Sequence, residues 1–270
     1  KTIYELGKKY LEESNHSYLD GITIPVEESK SEIQYAVIIN LSLADKKIKI
    51  KLEEIDSNTP FKLRWIGTVD GRSSFQWFGT VKRQNLSYLL SQTLPNLLNR
   101  WNRDDKFYAK LKKAFEIFFK EIPIKKSSDA RYRYIIDPIY FEGEIPDLEA
   151  KKVVQEITNQ FQLYIEKVAQ VNINDIALFS LAIDDELIVG KKEYERLVEE
   201  EKTIVFESAK RGVCAVTNKE SMVTSQTTKL KFKYYITDKA NFASGINKNN
   251  FYKNLTLSKD AYKCLQVGEA

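Results

Sequence analysis

Histidine is almost absent from this sequence: His16, set in the polar stretch Asn15-His16-Ser17, is the only one in 270 residues. A catalytic triad would rest on that single residue in a solvated loop, so chemistry built on a histidine base is not expected. Cysteine is nearly as scarce. Cys214 and Cys264 are too few for a disulfide framework and fit a reducing compartment, the cytosol. No apolar run reaches the roughly 18 residues that a membrane span needs. Nor does a basic n-region lead into an apolar h-region, so no secretory signal is expected. Gly-rich phosphate loops and paired-His metal helices are missing too. The chain opens on Lys1, so an initiator residue at least is expected to precede it.

What is present supports a folded chain. Apolar residues make up 43% and aromatics 12%, enough to bury a core in one large domain or two modest ones. The net charge of +4 is unevenly spread. Residues 209–270 hold eleven Lys/Arg against Glu220, Asp238, Asp260 and Glu269, a net of +7, which leaves −3 on residues 1–208. A basic segment on a slightly acidic body is the electrostatic footprint of a polyanion contact.

The hydrophobic pattern predicts an α+β fold. Ile3, Leu6, Tyr10 and Leu11 mark a short amphipathic helix. Ile33–Leu43 and the strictly alternating Lys46–Ile55 read as strands joined at Ala44-Asp45, and Leu63–Val69 and Phe75–Val81 as two more around the turn Asp70-Gly71. Helices follow at Asn85–Trp101, with Pro95 as a kink, and at Phe107–Ile122. Arg131–Phe141 reads as a strand, Leu148–Ala169 as a long helix capped by Asp147. Ile176–Ile183 and Leu187–Val189 form a strand pair across Asp184–Glu186, and Lys192–Glu201 is a charged helix. Thr224–Tyr235 reads as a strand and Asn241–Asn254 as a loop. Helices and strands do not alternate regularly, which favours α+β over α/β. The expected division is an α+β body over 1–206, β-rich at its start and helical in the middle, and a basic element over 207–270.

Three motifs carry chemistry on paper. Asp137 followed by Glu149-Ala150-Lys151 matches a short acid…Glu-x-Lys pattern used by metal-dependent nucleases, but acids also favour a helix start through its dipole. Asp184-Asp185-Glu186 has the carboxylates to coordinate a cation, but reads first as a polar turn between two strands. In Lys231-Phe232-Lys233-Tyr234-Tyr235 a strand would carry Lys229, Lys231 and Lys233 along one face, a row suited to phosphates, with the aromatics inward.

From residue 212 onward the chain resembles a family. Gly212-Val213-Cys214-Ala215-Val216, Thr227-Thr228-Lys229, Phe232-Lys233-Tyr234-Tyr235, Thr237-Asp238-Lys239, Phe242-Ala243 and Asn254 to Gly268 follow in order the cysteine-containing segment of the large subunit of type I-B CRISPR surveillance complexes (Cascade). Ile3-Tyr4-Glu5-Leu6-Gly7 is similar to their opening. Relatives show two Cys pairs suited to tetrahedral zinc. The matching positions here are Cys214, Thr217, Ser258 and Ala261, with Cys264 three residues beyond, which implies a zinc-ribbon-like element that has lost its metal ligands and packs Cys214 as a small buried residue.

The resemblance implies a non-catalytic subunit without cofactor, the N-terminal part of a longer family pattern that continues into helices. Its expected partners are crRNA, target double-stranded DNA, the backbone and handle-capping subunits, and a helicase-nuclease recruited after target binding. Such subunits recognise a protospacer-adjacent motif near the crRNA 5′ handle. The residues able to do so combine phosphate-binding lysines with side chains that meet base edges: Gln226, Thr227, Thr228, Lys229, Lys231, Lys233, Asn247, Lys248, Asn249, Asn250 and Lys253. Two alternatives stand beside this: an architectural subunit that grips crRNA or protein without reading DNA, and a metal-dependent nuclease using Asp137, Glu149 and Lys151.

Overall fold

Seven of the eight residues from Tyr35 to Ser42 are buried, as a strand covered on both faces must be. The surrounding architecture comes from a computed structural model, which describes residues 2–13, 17–26, 33–67, 77–232 and 243–270. In chain order the helices are α1 (Thr2–Glu13), α2 (Tyr18–Gly21), α3 (Thr59–Lys62), α4 (Leu86–Tyr88), α5 (Leu94–Arg100), α6 (Tyr108–Phe118), α7 (Ala150–Ala169), α8 (Lys192–Lys202) and α9 (Lys259–Glu269). The strands are β1 (Tyr35–Ser42), β2 (Lys47–Glu54), β3 (Thr80–Lys82), β4 (Phe119–Glu121), β5 (Tyr134–Ile136), β6 (Ile176–Ile183), β7 (Glu186–Leu187), β8 (Lys210–Val213), β9 (Glu220–Thr224) and β10 (Leu257–Ser258). The fold is α+β. The described chain divides into two compact units, one of Lys1–Ile24, Ile66–Asp70 and Arg196–Ala270, the other of Pro25–Trp65 and Gly71–Glu195. This division differs from a single cut at 206/207, because α1 belongs with the C-terminal residues.

The larger unit is built on a mixed sheet in the order β2-β1-β6-β3, with β7 paired to β6. β1 and β6 are parallel and central, and β2 and β3 run antiparallel to them. The buried Asn40 of β1 fixes the sheet's turn: its amide donates to Asp185 Oδ1 (2.8 Å) and its carbonyl accepts from the Asp185 N–H (3.0 Å). Asp184 and Asp185 both have positive φ (48° and 64°), the geometry of a two-residue hairpin turn, so the acidic run is a structural turn. Lys47, Lys49 and Lys51 alternate on the exposed face of the edge strand β2, which keeps other chains from adding to it.

Several expected elements differ. Leu63–Gly67 forms turns and irregular chain around buried Leu63, Trp65 and Ile66, and residues 68–76 lie outside the described residues. Pro95 produces a π-helical segment, Leu89–Thr93, between α4 and α5. The wider turn takes up the missing Pro95 N–H and the clash of its ring, and the Asn96 amide caps the Gln92 carbonyl (2.7 Å). α6 ends four residues early, where Phe119 turns extended to pair with β5. The strand expected over Arg131–Phe141 shrinks to β5, flanked by short 3₁₀ turns. α7 begins at Ala150 behind Glu149, not behind Asp147.

In the smaller unit, β8, β9 and β10 form a three-stranded sheet in the order β10-β9-β8. α1 crosses α9 with backbones in contact. A Cβ on Gly7 would stand 1.8 Å from the Cys264 carbonyl oxygen, and one on Gly268 would stand 2.0 Å from that of Ile3. This contact turns Gly7 inward and leaves Leu6 58% exposed, so the expected apolar stripe is rotated about the helix. Gly7→Ala is expected to destabilise the protein by about 3 kcal/mol or more, since backbone cannot yield as a side chain can. Thermal and denaturant unfolding of the full chain measure this, and a change below about 0.5 kcal/mol would refute the close crossing.

Candidate nucleic-acid interface

Between β8 and β9 the chain turns through a knuckle at Cys214. Its N–H donates to the Lys219 carbonyl (2.9 Å) and its carbonyl accepts from the Asn218 N–H (2.8 Å). Asn218 takes a φ of 56°, which Asn tolerates better than most residues. The Ala215 N–H donates to Thr256 O (2.8 Å) and the Thr256 hydroxyl to Val213 O (2.6 Å), which straps the knuckle to the chain entering β10. Ser258 then caps α9: its hydroxyl accepts from the Ala261 N–H (3.4 Å) and donates to Cys214 Sγ (3.5 Å). Ala261 is fully buried with Cys214 and Val223.

The four positions matched to zinc ligands therefore do converge. Thr217 and Ser258 hydrogen-bond Cys214, and Ala261 packs beside it. Burial pushes the Cys214 thiol up, but the hydrogen bonds from Thr217 and Ser258 outweigh burial and bring it down to about 7. Cys264 lies one turn further along α9, on the side facing Gly7, and burial raises its thiol.

After Thr224 the chain leaves the sheet, and residues 225–232 run as turns instead of the expected strand. The cause is the core beneath them. Leu230 is buried with Val205, Leu257, Tyr262 and Leu265, and its N–H donates back to Thr227 O (3.1 Å). Thr227 is also buried. The Lys229 N–H donates to the Tyr262 hydroxyl (3.2 Å), and its ammonium meets Glu201 at 2.9 Å with both side chains largely buried. The Lys231 N–H donates to the Glu269 carboxylate (2.7 Å), and its ammonium to the Glu269 carbonyl (3.1 Å). Gln266 ties these parts together: it accepts from the Tyr18 hydroxyl (2.6 Å) and donates to Lys202 O (3.1 Å) and Lys229 O (3.2 Å). Lys229 and Lys231 do not form a row along one strand face, and Lys233 lies outside the described residues.

The remaining expected residues are spread over two segments. The Gln226 amide donates to the Ser208 hydroxyl (3.3 Å), and Thr228 is exposed. Asn247 and Lys253 are exposed, with the Lys253 ammonium 6.0 Å from the Tyr252 ring. Asn250 is occupied within its own turn, its N–H on Asn247 O (2.8 Å) and its amide on Ser244 O (3.0 Å). The side chains of Lys248 and Asn249 lie outside the described residues. Acids of α8 offset part of the basic segment: Glu199 meets Lys263 at 3.0 Å and Lys259 at 4.0 Å. Counted over the whole smaller unit, the net charge is +3, not the +7 of residues 209–270.

In the larger unit, Asp137 caps a 3₁₀ turn through the Ile139 N–H (3.1 Å), and Glu149 precedes α7 and lies 3.5 Å from Lys126. Lys151 is exposed on the first turn of α7. Among the described residues no three His, Cys, Asp or Glu side chains converge as a metal site requires. No helix among them is long and apolar enough to cross a membrane. Glu201, Gln266, Gly7 and Gly268 were not expected to matter. Of these only Gly7, set inside the amphipathic pattern of the first helix, gave a signal.

Two family models match the chain. The N-terminal domain of CRISPR-associated protein TM1802 (cas_TM1802) matches residues 1–200, and its central domain matches residues 211–270. No curated protein and no solved structure matches it.

Two outcomes are expected from this geometry. Lys229→Ala removes the ammonium facing the buried Glu201 carboxylate and is expected to cost about 3 kcal/mol in unfolding free energy, part of which returns in Lys229→Ala/Glu201→Ala. A loss in the double variant equal to the sum of the losses in Lys229→Ala and Glu201→Ala would show that the pair is not coupled. The Cys214 thiol titrates lower folded than unfolded, so stability rises as pH climbs from about 7 toward 9 and falls as pH drops back through 7. Unfolding curves should show a rise on the order of 1–2 kcal/mol across that window, absent in Cys214→Ala. A rise unchanged in that variant would assign the titration elsewhere.

Proposed function

This chain belongs to the TM1802 family of CRISPR-associated proteins, and on that premise we propose that it acts as the N-terminal part of the large subunit of a type I-B surveillance complex. In this reading it is a non-catalytic subunit that binds target duplex DNA and recognises the protospacer-adjacent motif beside the crRNA 5′ handle. The crRNA, the backbone subunit, the handle-capping subunit and a helicase-nuclease are its partners. The observation that carries the reading is the convergence of Cys214, Thr217, Ser258 and Ala261 in a ribbon-like element that exposes Thr228, Lys231, Asn247 and Lys253.

In this reading the roles are assigned by side-chain chemistry. Lys231 and Lys253, with Lys233 and Lys248, contact phosphates. Gln226, Thr228, Asn247, Asn249 and Asn250 are the groups for base edges, where Asn and Gln pair bidentately with adenine in the major groove. Lys229 and Thr227 are positioning residues, held by Glu201 and by burial, that set the turn carrying Lys231.

The test is duplex binding by the assembled crRNA complex across a library of protospacer-flanking sequences. Lys231→Ala/Lys253→Ala is expected to weaken all flanks and to make the salt slope shallower by about 2, since each duplex phosphate contact contributes about 0.9. Asn247→Ala/Asn250→Ala is expected to flatten the preference among flanks, each lost bidentate contact being worth about 1–3 kcal/mol. If both variants bind like wild type, the basic segment faces crRNA or protein and the duplex-reading assignment is wrong.

A further inference from the structure

The larger unit carries a basic, aromatic hairpin that the reading above leaves unused. β4 and β5 pair from Phe119↔Ile136 to Glu121↔Tyr134, and the chain between them projects as a loop with a 3₁₀ turn over Ser127–Tyr132. Residues 119–134 hold Lys120, Lys125, Lys126, Arg131 and Arg133 against Glu121 and Asp129. That is a net of +3 in sixteen residues, while the rest of the unit sums to −2.

Three of the five cations have acidic neighbours: Arg133 at 2.7 Å from Glu121, Lys126 at 3.5 Å from Glu149 and Lys120 at 3.9 Å from Asp137. Lys125 and Arg131 are exposed and have no carboxylate in ion-pair reach among the described residues. Arg131 lies over the Tyr132 ring at 4.7 Å and Arg133 over the Tyr134 ring at 5.5 Å. Tyr134 is held in turn edge-to-face against Phe115 at 5.0 Å. Two guanidiniums are thus ordered on aromatic planes before any ligand arrives, which lowers the entropy lost when they bind one. Their planar forks match phosphate, and bases stack on guanidinium planes as well as on aromatic rings.

We propose that this hairpin is a binding site for single-stranded nucleic acid, with phosphates on Lys125, Lys126 and Arg131 and a base stacked at the Arg131–Tyr132 pair. A projecting loop with aromatic planes suits unstacked bases, which a duplex does not offer. An acidic protein segment would use the same cations but would gain nothing from the stacked ring. The site stands whether or not the ribbon-like element reads duplex DNA.

The experiment is fluorescence anisotropy of the full chain with labelled 12-nucleotide oligo-U and oligo-dT over a range of salt. Lys125→Ala/Arg131→Ala is expected to weaken both and to make the salt slope shallower by about 1.4, since each single-strand phosphate contact contributes about 0.7. Tyr132→Ala is expected to lower affinity by roughly 5- to 100-fold, and Tyr132→Phe to stay within about 2-fold of wild type, because stacking needs the ring and not the hydroxyl. Equal effects on the two oligomers assign backbone and base contacts; an effect on oligo-U alone assigns an RNA site that uses the 2′-hydroxyl. Oligomer binding unchanged in all variants would overturn the proposal. So would loss of binding to an acidic peptide such as poly-glutamate with oligomer binding intact. Flank preference in the assembled complex does not enter this measurement, so failure here and failure of the duplex reading are separable.

Discussion

The smaller unit depends on a contact between backbones. α1 and α9 run antiparallel and touch at two points one helical turn apart, Gly7 against Cys264 and Gly268 against Ile3. Any side chain at either glycine would drive the helices apart, so the smallest residue at two positions decides whether the first helix docks at all. That docking positions the rest of the unit, because α9 is its spine. Ser258 and Ala261 meet the Cys214 knuckle, Tyr262 and Gln266 hold the turn over residues 225–232, and Cys264 and Gly268 meet α1. Each successive turn of one helix serves a different neighbour.

The larger unit shows which features are legible in a sequence. β1, β2 and β6 stand close to their expected bounds, because a buried apolar run and a strict alternation are produced by few structures other than strands. The two-residue turn at Asp184-Asp185 was legible as a polar turn, while its anchoring by Asn40, 145 residues earlier, was not. Pro95 signalled a local disturbance, but its form depended on whether neighbouring side chains could satisfy the freed carbonyls. Here the helix widens to a π turn over Leu89–Thr93, and the Thr93 hydroxyl and Asn96 amide bond the nearby Tyr88 and Gln92 carbonyls.

The candidate site was less legible, for an electrostatic reason. Summing charge over residues 209–270 treats a stretch of chain as if it were a surface. Folding places Glu199 and Glu201 of α8 among Lys229, Lys259 and Lys263, and ion pairs offset part of the basic segment's charge. The same neighbour explains the missing strand. The alternation of Lys229, Leu230 and Lys231 fits a strand, but a strand could not bury Leu230 against Tyr262 while also bringing Lys229 to Glu201. Partners 28 and 33 residues away selected the turn over the strand.

Among the described residues the Cys214 knuckle is held without a cluster of metal-ligating side chains. Where relatives are expected to hold zinc through four thiolates, this chain offers one thiol, two hydroxyls and a methyl group. A structural zinc contributes on the order of 10–16 kcal/mol in peptides, whereas the Cys214–Ser258 and Cys214–Thr217 hydrogen bonds contribute about 1 kcal/mol each. Such bonds cannot order the knuckle alone. The difference is made up by packing: Cys214 and Ala261 are fully buried, and Tyr4 and Val216 pack against both their cluster and the core of Leu230, Leu257, Tyr262 and Leu265. That core exists only if α9 is held in place, which returns the stability of the knuckle to the glycine crossing with α1. The knuckle thus depends on a helix some 200 residues earlier in the chain.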